Sequence, residues 1–125
     1  MQHAAPARSG VLIGLTVLLL GTLTTASAAP AAGDEQLGLS RHLKSVGALF
    51  YGAWWCPACT RQKALFGEQA AQELPYVECD RVPSDRERCE AARIKAFPTW
   101  DLKGKERLTG VQSLEELKSW SGYGR

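Results

Sequence analysis

Phe50-Tyr51-Gly52-Ala53-Trp54-Trp55-Cys56-Pro57-Ala58-Cys59 joins an apolar run to a proline-marked helix start and carries two of the four cysteines. Ala48 to Gly52 is apolar, partly aromatic and short, which suits a buried strand of a covered sheet. After Trp54-Trp55 the period changes. Pro57 fits the first position of a helix, and Ala64, Leu65, Gln69 and Gln72 continue a helical run that stops before Pro75. A strand running directly into a helix puts Cys56 at the helix N-cap and Cys59 one turn further on, with both sulfurs on one side. Unpaired backbone N–H groups and the positive end of the helix dipole stabilise a thiolate at such a cap, bringing its pKa from about 8.5 toward roughly 3.5 to 7.5. By position, Cys56 is the candidate attacking sulfur and Cys59 the one that resolves a mixed disulfide.

Working outward, Tyr76-Val77-Glu78-Cys79 reads as a second strand, and Ser84-Asp85-Arg86-Glu87 as a capping box opening a helix through about Lys95. Phe97 to Leu102 is a strand entered through Pro98, and Gly104 turns it into a short partner strand around Glu106 to Thr109. Ser113-Leu114-Glu115-Glu116 is a further capping box, starting a helix that Gly122 can end. Upstream, Leu39, Leu43 and Val46 stand at helical spacing, with Ser40 as a candidate cap. Residues 29–38, rich in Ala and Gly, show no apolar period and read as a flexible tether. The order from Ala48 on is strand, helix, strand, helix, strand, strand, helix. It predicts an α/β domain over residues 39–125 with a central mixed four-stranded sheet flanked by helices.

The 125 residues have room for one domain. Met1 to Gly10 carries Arg8 as its only charged side chain; an apolar run follows from Val11 to Leu23, and then the small residues Ala26-Ser27-Ala28. This three-part order is that of a secretory signal peptide over residues 1–28, cut before Ala29. The alternative is an uncleaved anchor, since the run approaches the ~20 residues of a spanning helix. Without residues 1–28 the chain keeps 14 basic against 13 acidic side chains, a formal charge of +1, so nucleic acid is not an expected partner. Arg81, Arg86, Arg88 and Arg93 alternate with Asp80, Asp85, Glu87 and Glu90, which reads as a solvated, salt-bridged face.

All four cysteines follow the leader, and an even count in an exported chain favours disulfides. Three pairings exist. Cys56 with Cys59 and Cys79 with Cys89 is favoured, because the first two share a helical turn and the second two bracket a turn and the start of a helix. Cys56 and Cys59 could also be half of a zinc site. Cys79 and Cys89 are too widely spaced to complete it, His3 is in the leader and His42 is poorly placed, so neither metal nor cofactor is expected. An inert disulfide is the remaining alternative. Trp54 and Trp55 are candidates for an apolar collar around an exposed Cys56, with Trp55 preferred.

The segment Phe50 to Cys59 resembles the active-site strand of the thioredoxin superfamily, and Phe97-Pro98-Thr99 resembles its cis-proline segment. More narrowly, the chain from about Leu39 to Tyr123 is similar to the lumenal thioredoxin-like domain fused to vitamin K epoxide reductase homologues in cyanobacteria and plants. The match includes Tyr76 to Asp80, Cys89, Ile94 to Trp100 and Gln112 to Leu117. The resemblance implies a thioredoxin-like fold and a cis Phe97–Pro98 bond set against Cys56. Trp55, Pro57, Phe97 and Pro98 would then contact substrate, with the Phe97 backbone binding an extended segment. It also implies exported protein substrates in the periplasm or thylakoid lumen, and a vitamin K epoxide reductase-like membrane partner that takes the electrons to quinone. That four-helix module is not among these residues, so a monomer meeting its oxidase by diffusion or from an anchor is expected. Cytosolic thioredoxins carry a buried acid six residues before the first cysteine; Phe50 stands there, which leans the expectation toward an oxidant or isomerase. A reductase or isomerase fed by a membrane donor, and a non-catalytic binding module, are the competing readings. Cys79 and Cys89 would be either structural or a redox relay.

Overall fold

The computed structural model describes residues 31–125 without interruption, together with 3–5, 7, 10, 14, 21 and 25–28. The apolar run expected as a leader therefore lies outside the described residues, apart from Gly14 and Gly21. Among the described residues no helix is long and apolar enough to cross a membrane.

Eight elements follow in order: α1 (Ala32–Ser45), β1 (Leu49–Gly52), α2 (Pro57–Gln72), β2 (Tyr76–Glu78), α3 (Pro83–Ala91), β3 (Thr99–Asp101), β4 (Leu108–Thr109) and α4 (Leu114–Ser121). The strands form one mixed sheet in the order β2-β1-β3-β4. β1 runs parallel to β2 and antiparallel to β3, and β4 closes the edge antiparallel to β3. This is the thioredoxin-like α/β arrangement expected from the element order.

Register explains where the core sits. Phe50 is paired with Tyr76 on one side and Trp100 on the other, so three aromatic rings line one face of the sheet. Phe50 stacks on Trp100 at 4.6 Å and meets Tyr76 edge-on at 5.1 Å. Leu39 and Leu43 of α1, Phe66 of α2 and Leu117 of α4 pack into this cluster. Gln62 and Ser40 are polar and fully buried beside this cluster. The Gln62 amide oxygen accepts from Trp100 Nε1 at 3.2 Å and from the Gln112 N–H at 2.7 Å, and its Nε2 donates to Gln112 O at 3.0 Å. On the opposite face Tyr51, Val77, Cys79 and Cys89 make a smaller cluster. The alternation of Phe50 and Tyr51 between the two faces is the period-two rule of a strand.

Several local expectations are corrected. The stretch expected as a tether is helical from Ala32, because its anchors are tertiary contacts that no apolar period announces. Gln36 Nε2 donates to Leu65 O at 2.8 Å, Glu35 pairs with Lys118, and Asp34 and Glu35 occupy the first turn, where carboxylates suit the helix dipole. Ser40 is not a cap; it is buried in mid-helix with its hydroxyl donating to Ala70 O at 2.7 Å. The box expected at Ser84 does not form, since Pro83 takes the first helical position and Val82 becomes the cap. α3 then stops at Ala91, and Arg93 turns the chain at a φ of 55°. α2 is interrupted at Gly67, whose φ of 77° and ψ of 165° are accessible without a Cβ. The box at Ser113 is complete, and Gly122 ends α4 with a left-handed φ of 76°.

Candidate active site

Cys56 caps α2 in an extended conformation and Pro57 takes the first helical position. The Cys59 N–H donates to Cys56 Sγ at 3.2 Å, the cap interaction otherwise made by an oxygen. The Cys59 thiol also donates to Cys56 Sγ, with the sulfurs 2.7 Å apart. Both cysteines are free thiols here. A bonded pair lies at about 2.05 Å, so closing the ring requires the sulfurs to approach by less than an ångström. Cys56 was expected to be exposed. It is only 4% accessible, and Cys59 2%, because both lie at the end of the main core rather than on a projecting loop. Burial pushes the Cys59 thiol up to about 12, reinforced by its hydrogen bond to Cys56; the Ala53 backbone and the Lys63 charge act the other way.

The rim above the pair is aromatic. Trp54 and Trp55 are 54% and 55% exposed, an unusual degree for two adjacent indoles. Both rings are held by one carboxylate: Trp54 Nε1 and Trp55 Nε1 donate to Asp80 Oδ2 at 2.9 and 3.0 Å. Arg81 stands 5.3 Å over the Trp54 ring, and Trp55 meets the half-buried Phe97 edge-on at 6.0 Å. The Phe97–Pro98 bond is cis, Pro98 is buried, and its carbonyl accepts from the Gly110 N–H at 2.8 Å. Pro57 is exposed. The structure thus brings Trp55 and Phe97 together, gives Trp54 an equivalent place, and assigns Asp80 a role at the rim that the charge-alternation reading missed.

Beneath the rim, the wall behind Cys59 is polar on one side. A Cβ added to Gly52 would come within 2.9 Å of Cys59 Sγ and 2.8 Å of the Tyr76 ring, so the bare glycine lets sulfur and phenol close on the same spot. Tyr76 Oη donates to Glu78 Oε2 at 2.9 Å, and Lys63 Nζ sits 3.5 Å above the Tyr76 ring. Burial pushes the Glu78 carboxyl up, but hydrogen bonds from Asp80, Tyr76, Trp54 and Arg81 outweigh it and hold the group below its ordinary range. Burial pulls the Lys63 ammonium below its ordinary range. Neither residue was singled out from sequence. The signal was present: Lys63 lies four residues after Cys59 on one helix face, and Glu78 two after Tyr76 on one strand face.

With this geometry in place, similarity to known proteins gives it chemical meaning. Over 123 residues, 94% of this chain, the sequence is 37% identical to thiol-disulfide oxidoreductase LTO1 of Arabidopsis thaliana. The chain is similar to a thiol–disulfide oxidoreductase. It spans 31% of the length of that oxidoreductase. No protein-family model matches the chain. The aligned part of that oxidoreductase covers nearly all of the described domain, the paired thiols at the α2 cap included.

The remaining cysteines are already joined. Cys79, just past β2, is bonded to Cys89 of α3 at 2.04 Å, in the cluster on the opposite face of the sheet. His42 contacts Ser121 O at 3.0 Å and faces the Tyr123 ring. Among the described residues no group of three or more His, Cys, Asp or Glu side chains is placed to hold a metal ion.

Proposed function

We propose that this domain is a thiol–disulfide oxidoreductase that oxidises thiols of exported proteins, with Cys56 and Cys59 as its redox pair. The observation that carries the reading is the helix-capped Cys56 sulfur, 2.7 Å from its partner one turn along. In the oxidised domain a substrate thiolate attacks Cys56 Sγ, the Cys56–Cys59 bond breaks, and Cys59 leaves as a thiolate that takes up a proton. The substrate's second thiolate then attacks its own sulfur in the mixed disulfide and releases Cys56. Two electrons and two protons pass from the substrate dithiol to the domain. The first-turn amides of α2 favour negative charge on Cys56 as it leaves.

The exposed indoles of Trp54 and Trp55, with Phe97 beside them, offer an apolar surface for an unfolded segment, and the strand-like backbone before Thr99 suits sequence-tolerant pairing. Phe50 supports the oxidant direction, because an apolar ring stacked on Trp100 occupies the place where a carboxyl would receive the Cys59 proton. Re-oxidation passes the electrons on to a quinone-reducing membrane protein of the vitamin K epoxide reductase type, in the periplasm or thylakoid lumen to which the leader directs the chain.

The test has two parts. Cys59→Ala should leave Cys56 disulfide-linked to substrates and to the oxidase, and mass spectrometry of the trapped species identifies both; the absence of any linked species sinks the reading. Equilibration in a glutathione buffer fixes the direction. A potential well above the ~ −270 mV of thioredoxin is expected, and a value as reducing as that would assign the domain to reduction instead.

A further inference from the structure

The buried Cys59 thiol must ionise whenever it attacks the sulfur of Cys56, and the apolar core beside it supplies no charge to help. The charged and titratable groups that face it come from three segments. They are Cys56 at the α2 cap, Lys63 on α2 and Tyr76 on β2, with Glu78 on β2 and Arg81 in the turn beyond acting on Lys63. Arg81 is turned to the Trp54 ring at the rim. Tyr76 donates its proton to Glu78, and burial and that bond push its own ionisation upward, so it serves as a platform and not as a base. Glu78 is held ionised by its ring of donors, and its carboxylate attracts the Lys63 ammonium. Lys63 remains, one helical turn beyond Cys59, with its ammonium 3.5 Å above the Tyr76 ring that shares the Gly52 hollow with Cys59 Sγ.

We propose that Lys63 is the positioning residue that makes Cys59 competent, its ammonium docked on Tyr76 stabilising the Cys59 thiolate. This rests on the redox reading above. Charge compensation takes the place of proton removal by a neighbouring base: the Cys59 proton goes to water, the thiolate attacks Cys56 Sγ, a Cys56–Cys59 bond forms, and the bond from Cys56 to the outside thiol breaks. The leaving thiolate carries the electron pair away and is protonated in solution. Two opposite charges flank the site, so their removal should act in opposite directions. The Lys63 charge favours the ionised thiol, whereas Glu78 draws on the same ammonium.

Glutathione attached to Cys56 of the full chain isolates the step, since its release by Cys59 is intramolecular and follows the thiolate fraction of Cys59. Release should rise with pH in the unmodified sequence. K63M should slow it about tenfold at pH 7 and move the pH–rate profile up by about one unit, and K63R should recover most of the rate; E78Q should speed release. Unchanged release by K63M overturns the proposal, as does equal slowing by K63M and K63R, which would mark a packing role. Circular dichroism of each variant separates these outcomes from misfolding, with K63R serving if K63M does not fold. Failure of the redox reading has a different signature: the unmodified chain itself would release no glutathione.

Discussion

The two cysteine pairs differ less in burial than in what surrounds them. Cys56 and Cys59 are 4% and 2% accessible, Cys79 and Cys89 8% and 5%, so depth alone would rank the first pair as the more inert. The first stands as two thiols on a helix cap, three residues apart, beneath two exposed indoles and against a lysine, a tyrosine and a carboxylate. The second closes a bond across ten residues, from the end of β2 to α3, among Tyr51, Val77 and Ile94. On the proposed function, reactivity would follow from an N-cap sulfur with a mate one turn along and charges at hand. A sulfur bonded within an apolar cluster between two elements has neither, and on the proposed function it would serve the fold.

The sharpest way to break this contrast is to remove one sulfur from each pair. Cys56→Ser should abolish oxidation of a reduced peptide by about a thousandfold or more, since no other group at the cap can form the mixed disulfide. Replacing both Cys79 and Cys89 by Ala should leave that rate within a few fold. Comparable losses in the two would make the second pair an electron relay. Stability should respond in reverse. The double Ala variant should unfold about 2 to 3 kcal/mol more easily in urea, the chain-entropy contribution of a loop this short, while Cys56→Ser shifts the midpoint less.

What could be read from the sequence has the same division. Elements marked by a local device were legible: Pro57 opens α2, the Ser113 hydroxyl and Glu116 carboxylate form the expected box, and Gly122 ends α4. The pairing of β1 with a parallel neighbour followed from the intervening helix. Residues whose partners lie on another element were not. The start of α1 depends on Leu65 and Lys118, the cap of α3 was displaced by Pro83, and Asp80 looked like one charge among many until two indoles from the preceding loop closed on it. Lys63 was hidden for the same reason, since its platform is a tyrosine thirteen positions away on the next strand.

Titration offers a finer test of the contrast, because only the first pair carries protons. The unfolded Cys59 thiol ionises near 9, the folded one near 12. Below pH 9 both states hold the proton and the contribution to stability is complete. Between 9 and 12 the unfolded chain releases it and the native chain does not, so stability of the reduced form should fall as pH rises, by up to about 1.4 kcal/mol per pH unit. The oxidised form has no such proton at Cys59, and its stability should fall less steeply. Chemical unfolding of both redox forms from pH 8 to 11 measures the difference, and parallel slopes would place Cys59 in a solvated setting.

The smallest expected effect concerns the seam between the two regions. Asp80 follows Cys79 directly, yet its carboxylate holds Trp54 and Trp55 at the rim of the other pair. Because these bonds are partly exposed, their loss should cost under about 1 kcal/mol. Asp80→Ala should release both indoles, raise KM for a reduced peptide a few fold and leave kcat unchanged; Asp80→Asn keeps an acceptor oxygen and should behave nearly as the parent. Acrylamide quenching of tryptophan fluorescence reports the release directly, since Trp100 is buried on Gln62 and Trp120 is bonded to Glu106 O, away from the change. The same measurement on the Cys79→Ala and Cys89→Ala double variant decides whether the bond across β2 and α3 sets the position of Asp80. Matching quenching in the two variants would mean that the fold-holding pair positions the rim of the reactive one. A parent-like signal in the double variant would confine the influence of the Cys79–Cys89 bond to stability. The expectation is a match, because Arg86 of α3 grips the Asp80 carbonyl and the disulfide fixes α3 to β2 beside it.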